Sequence, residues 1–181
     1  MKTTYLIILL LNWIFVNQSM ALVDPANYDF SLDSFEVFRP GNSVKQAIEK
    51  HGKAELVSEK GKTKTLKFYV AQIRYKFAVI VRVEGDKIVD YHARLPSYFL
   101  HDVFHQSMLN RFGAQNFYRL IDGTAIYQWS NKEGINYIYS GTCTITCFPV
   151  YLSAYPEEPP FKGYRPLFKE LLAPQDFKSS K

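Results

Sequence analysis

The chain has 181 residues, 47% of them apolar and 22% charged; this balance builds one packed domain or two small ones and excludes a disordered chain. Nine Gly and nine Pro exclude collagen-like or low-complexity architecture, and two Cys are too few for a disulfide scaffold. The formal charge is +5, and 14 Phe, 13 Tyr and 2 Trp make the chain dense in aromatics.

At the N-terminus, Lys2 precedes an apolar run from Tyr5 to Val16. The polar Asn17, Gln18 and Ser19 follow, and Ser19 and Ala21 are the small residues at −3 and −1 of a cut after Ala21. This is the pattern of a signal peptide over 1–21. The run is shorter than the ~20 apolar residues a bilayer span needs. The expectation is a periplasmic or secreted protein with no transmembrane segment after signal cleavage. Residues 22–42 read as a lead-in of net charge −3.

The next segment, 43–96, reads as a helix followed by three strands. Ser43 is an N-cap candidate with Gln46 placed for a capping box. Val44, Ala47, Ile48 and His51 fall on one helical face, and Gly52 stands where a C′ glycine would. Leu66, Phe68 and Val70 then alternate with Lys67 and Tyr69. Ile73 to Val83 continues that period of two, Glu84-Gly85-Asp86-Lys87 is a hairpin turn, and Ile88 to His92 is the third strand. Arg94-Leu95-Pro96-Ser97 reads as a connector.

The pattern recurs over 97–156. Leu100, Val103, Phe104, Met108 and Phe112 form a helical stripe closed by Gly113, 61 residues after Gly52. Strands follow at Ala125–Trp129, Ile135–Ile145 and Val150–Ser153. The predicted fold is therefore α+β: a tandem repeat of two units, each a short helix packed on a three-stranded antiparallel sheet. A Pro-rich tail, 157–181, ends the chain. In it Pro166 to Leu172 reads as a short amphipathic helix that either folds back on the domain or docks a partner.

The segments NSVKQAIEKHG and FHQSMLNRFG, with the strands Leu66–Val70, Arg74–Val83, Ile126–Trp129 and Asn136–Thr146, resemble the helix-then-meander fold of BamE-like (SmpA/OmlA) envelope proteins. The tandem arrangement resembles the β-lactamase-inhibitor-protein type. BamE-like proteins are lipoproteins, and in this chain Leu22, not Cys, directly follows the predicted cut. Their Gly-Met-Thr before the first helix is Gly41-Asn42-Ser43 here. The resemblance implies an exported, non-catalytic protein that binds other macromolecules.

Charge is uneven: residues 44–96 carry +6, whereas 97–156 are neutral and aromatic. If the apolar strand residues face the helix, Lys67, Tyr69, Arg74, Lys76 and Arg82 share the other face of the sheet. Such a face suits an acidic protein surface, phospholipid head groups or a polyanionic envelope polymer. Tyr127 and Trp129 are the aromatics singled out as partner-binding in the second unit. No nucleic-acid recognition motif is present.

Other chemistry is sparse. His101 and His105 stand at i, i+4, a spacing that can share a metal, but no further ligand is placed by spacing. Cys143 and Cys147 can form a disulfide only if the chain turns between them, because a straight strand holds them ~13 Å apart. No hydrolase, nucleotide-binding or metalloprotease signature occurs, so neither catalytic residues nor a cofactor are expected. The leading expectation is a non-catalytic binding protein recognising a protein or anionic envelope component through sheet faces. The alternative is a small enzyme or small-ligand binder with a cleft between the units, marked by convergence of His51, His92 or His105.

Overall fold

The computed structural model describes residues 32–72, 75–96, 101–143 and 147–171. The predicted signal peptide, residues 22–31 of the lead-in, Arg74 and the chain end beyond 171 lie outside the described residues. The helices are α1 (Asp33–Glu36), α2 (Val44–His51), α3 (His101–Phe112) and α4 (Leu167–Leu171). The strands are β1 (Glu55–Lys60), β2 (Thr63–Gln72), β3 (Tyr75–Glu84), β4 (Lys87–Leu95), β5 (Phe117–Ile121), β6 (Thr124–Lys132), β7 (Ile135–Cys143) and β8 (Cys147–Pro156).

All eight strands belong to one antiparallel sheet in the order β1-β2-β3-β4-β8-β7-β6-β5. This overturns the expectation of two separate units, each a helix on three strands. Each of α2 and α3 is followed by four strands, and the halves fuse where β4 pairs with β8, from Tyr91 opposite Ala154 to Leu95 opposite Val150. The physical reason lies in edges. The last strand of an isolated unit would expose a row of unpaired N–H and C=O groups, and pairing β4 with β8 satisfies both rows at once. Leu95, read as connector, is a buried β4 residue, 1% exposed.

One face of the sheet carries the main core. Phe68, Val79, Val81, Leu95, Trp129, Tyr139, Val150 and Leu152 are buried there beneath Ala47 of α2 and Phe104 and Met108 of α3. The lead-in is more than a spacer: Leu32, Phe35 and Phe38 are buried in the same cluster, and Phe38 packs 5.3 Å from the Phe68 ring and 5.2 Å from His51.

The start of α2 is pinned to the first half. Ser43 Oγ accepts from Lys45 N at 3.2 Å and donates to Asp86 Oδ2 at 2.7 Å. The cap therefore acts one residue earlier than the box with Gln46 expected from spacing. Gly52 closes α2 at φ +83, a conformation L side chains rarely adopt, and donates its N–H to Ile48 O.

The tail folds back across the sheet face distal to the helices. Phe168 is buried against Ile126 and Ile138, with Tyr155 and Ile121 packed around them. Among the described residues no helix is long and apolar enough to cross a membrane.

Strands β7 and β8 pair antiparallel. Cys143 is directly opposite Cys147 in the ladder, and directly opposed Cα atoms of an antiparallel pair lie ~4.5–5.5 Å apart, within the disulfide range. We expect these cysteines to be bonded: intact mass under non-reducing conditions should be ~2 Da below the dithiol value, with no alkylation before reduction. Reduction should cost ~2 kcal/mol, the chain-entropy value for so small a loop. Full alkylation of the native, unreduced protein would show the pair to be free thiols.

Candidate functional site

Because opposed residues of a ladder share a face, the registers assign the distal face of the sheet. One row runs Lys67, Ile80, His92, Ser153, Ile138, Gln128. A neighbouring row holds Tyr69 and Ala78 in the first half and Arg94, Tyr151, Ser140, Ile126 and Arg119 across the seam.

The residues expected to bind a partner divide among several environments. Tyr69 is 47% exposed, and Lys76 is exposed. Lys67 is half-buried, with its ammonium 4.8 Å over the Tyr69 ring and 3.8 Å from Glu55 Oε2. Arg74 lies outside the described residues. Arg82 is 6% exposed and is not available to a partner: Nη1 donates to Arg165 O and Nη2 to Glu170 Oε2, each at 2.7 Å. Trp129 is fully buried on the helix side, and its Nε1 donates to Gly113 O at 2.8 Å. Tyr127 is half-buried between Tyr118, at 4.9 Å, and His105, at 4.3 Å.

Sequence reasoning missed Arg94 and Tyr151. Arg94 is exposed and Tyr151 half-buried, opposite one another across the β4–β8 seam. The period of two that carries Asp90 and His92 continues to Arg94, two residues beyond the strand Ile88 to His92 that the sequence predicts.

All four histidines are held toward the neutral form, and burial is the leading cause in each. His92 is pushed down to about 4; its Nδ1 lies 2.8 Å from Ser153 Oγ and its ring stacks on Tyr151 at 5.2 Å. His101 begins α3 with Nδ1 2.8 Å from Tyr139 OH and stacks on His105 at 5.8 Å. His51, the last residue of α2, stacks on Phe38. His92 therefore sits on the distal face, whereas His51, His101 and His105 lie on the helix side, and His51, His92 and His105 do not converge on one site. Among the described residues no group of three or more His, Cys, Asp or Glu is arranged to hold a metal ion.

A cleft of about 820 Å³ opens at one end of the seam. Ile88, Val89, Ile135 and Pro156 form its apolar walls, and Arg39, Lys62, Glu84 and Glu133 stand around it. Arg39 is ion-paired there with Glu133 and Glu36. None of the three histidines that would mark an active cleft lines it.

Comparison of the chain with protein-family models, with curated proteins and with solved structures finds no match.

Proposed function

We propose that the chain is an exported, non-catalytic binding protein that engages an acidic protein surface on the distal face of its sheet. The observation that carries this reading is the cluster Tyr69, Lys76, Arg94 and Tyr151, with Lys67 beside it. It surrounds the half-buried Ala78 and Ile80 on adjoining strands. Such a surface suits recognition: cations steer an acidic partner to it, and tyrosines bury area while keeping a hydroxyl in water. The +6 charge of residues 44–96 works in the same direction at longer range. The signal-peptide pattern of 1–21 and the resemblance to helix–meander envelope proteins support export.

The test is the double variant Lys76→Glu, Arg94→Glu. In a low-salt pull-down from envelope and culture fractions it should lose at least tenfold of the proteins held by the wild type. Its melting temperature should move by about 2 °C or less, as exposed positions allow. Capture by the wild type should also weaken as salt is raised. Equal capture by variant and wild type would remove the distal face as the docking surface; binding to anionic vesicles alone would replace the protein partner by a lipid.

A further inference from the structure

The two edges of the sheet differ in charge, though both expose apolar side chains: Leu56 and Val57 of β1 are 54% and 53% exposed. On β1, Glu59 bridges to Lys64 at 3.2 Å and Glu55 approaches Lys67 at 3.8 Å; with Lys60 they give the charged edge that discourages pairing. On β5, Phe117, Tyr118 and Leu120 are 47%, 50% and 60% exposed, and Arg119 is the strand's one charge. Among the described residues no strand pairs with its outer side. Just inside this edge, on the distal face, lies a groove of about 240 Å³. Phe117, Ile126, Ile138 and Phe168 give it apolar walls, and Arg119 and Lys169 also line it.

We propose that β5 is a strand-addition site that captures an extended segment of a partner protein, with an apolar side chain flanked by acidic residues. The outer row of β5 N–H and C=O groups would bind the segment's backbone, and its alternate side chains would face the groove. The pairing of apolar walls with the Lys169 ammonium selects an aliphatic or aromatic residue beside a carboxylate. A second copy of this chain fits less well: the antiparallel register that pairs all five β5 residues with their own copy sets Arg119 opposite Arg119, an unfavourable like-charge pair. This site lies away from the β2, β3, β4 and β8 residues of the proposed docking face and does not depend on that reading.

The experiment is selection of a phage-displayed random heptapeptide library on the full chain, followed by anisotropy titration of the best peptide. Selected sequences should alternate apolar residues with Asp or Glu. Phe117→Lys should weaken binding at least tenfold, and Leu56→Lys on the guarded β1 edge should not change it. With the unmodified chain, N-methylation of alternate peptide residues should abolish binding, and N-methylation of the intervening ones should be tolerated. That readout is independent of how any variant folds. The proposal fails if no sequence is enriched, if N-methylation is tolerated throughout, or if Phe117→Lys binds as the wild type does. A dimer that Phe117→Lys converts to monomer would overturn it in favour of a second copy.

Discussion

Trp129→Ala is expected to cost ~3–5 kcal/mol, a large share of the ~5–15 kcal/mol by which a domain is stable. The side chain is fully buried, so truncation leaves a cavity among Tyr127, His105 and the end of α3, whose rings lie within 6.4 Å of the indole. It also removes the donor that ties Gly113 O to β6. Gly113 lies at φ +75, just past the last turn of α3, and its own N–H bonds Leu109 O. The indole thus fastens the helix end to the sheet at the one residue that the chain's left-handed turn holds fixed. Trp129→Phe should lose mainly the hydrogen bond and a smaller cavity, ~1–2 kcal/mol. Urea unfolding followed by circular dichroism separates the two. A Trp129→Ala variant within 1 kcal/mol of wild type would return this residue to the surface role that its aromatic character suggests from sequence.

That contrast shows where sequence reasoning reaches its limit. Alternation identifies which residues share a face, and Phe77, Val79, Val81 and Val83 do share the core face. It cannot say whether the other face is wet. Arg82 alternates correctly with those valines, yet the tail, some 80 residues further on, buries it. β1 escapes notice for the opposite reason: all six of its residues are exposed, so no hydrophobic period marks it, and backbone pairing with β2 alone makes it a strand. The fusion of the halves through β4 and β8 is a contact between distant segments that no local pattern encodes. Leu95 and Val150 were both visible as apolar, but their pairing was not. At the candidate docking face, Lys67, Tyr69 and Lys76 were legible from period and charge; Arg94 needed a strand two residues longer, and Tyr151 needed the partner strand.

The buried network around Arg82 makes the second large prediction, and it concerns both the tail and pH. Asp90, 1% exposed, accepts from Tyr164 OH at 2.9 Å and from Leu167 N at 2.8 Å, so a sheet carboxylate caps the first turn of α4. Its other oxygen makes no hydrogen bond and lies 3.8 Å from Arg82 Nε. Removing the cation with Arg82→Met strands a buried carboxylate, a change that costs ~3–5 kcal/mol where the surroundings cannot relax. Here they can: α4 undocks, and amide exchange over 164–171 should rise while the β7–β8 ladder stays protected. Burial pushes Asp90 up to about 6, against the opposing Arg82 charge, and Glu170 adds to the rise. Between the ordinary aspartate value of 3.8 and about 6 the folded protein therefore holds a proton that the unfolded chain has released. The stability Asp90 contributes is fully present below 3.8 and is lost as pH rises through about 6. His92 works in the other direction. Its value falls from 6.5 to about 4, so its contribution is present above 6.5 and lost as pH falls through about 4. His51, His101 and His105 are also lowered and add to the acid side. The wild type should thus lose stability from pH 6.5 to 4, with Asp90 cushioning the loss. Asp90→Asn should steepen that slope and His92→Gln should flatten it, as read from melting temperature against pH. Curves for both variants that run parallel to wild type would mean that neither group is buried as its contacts imply.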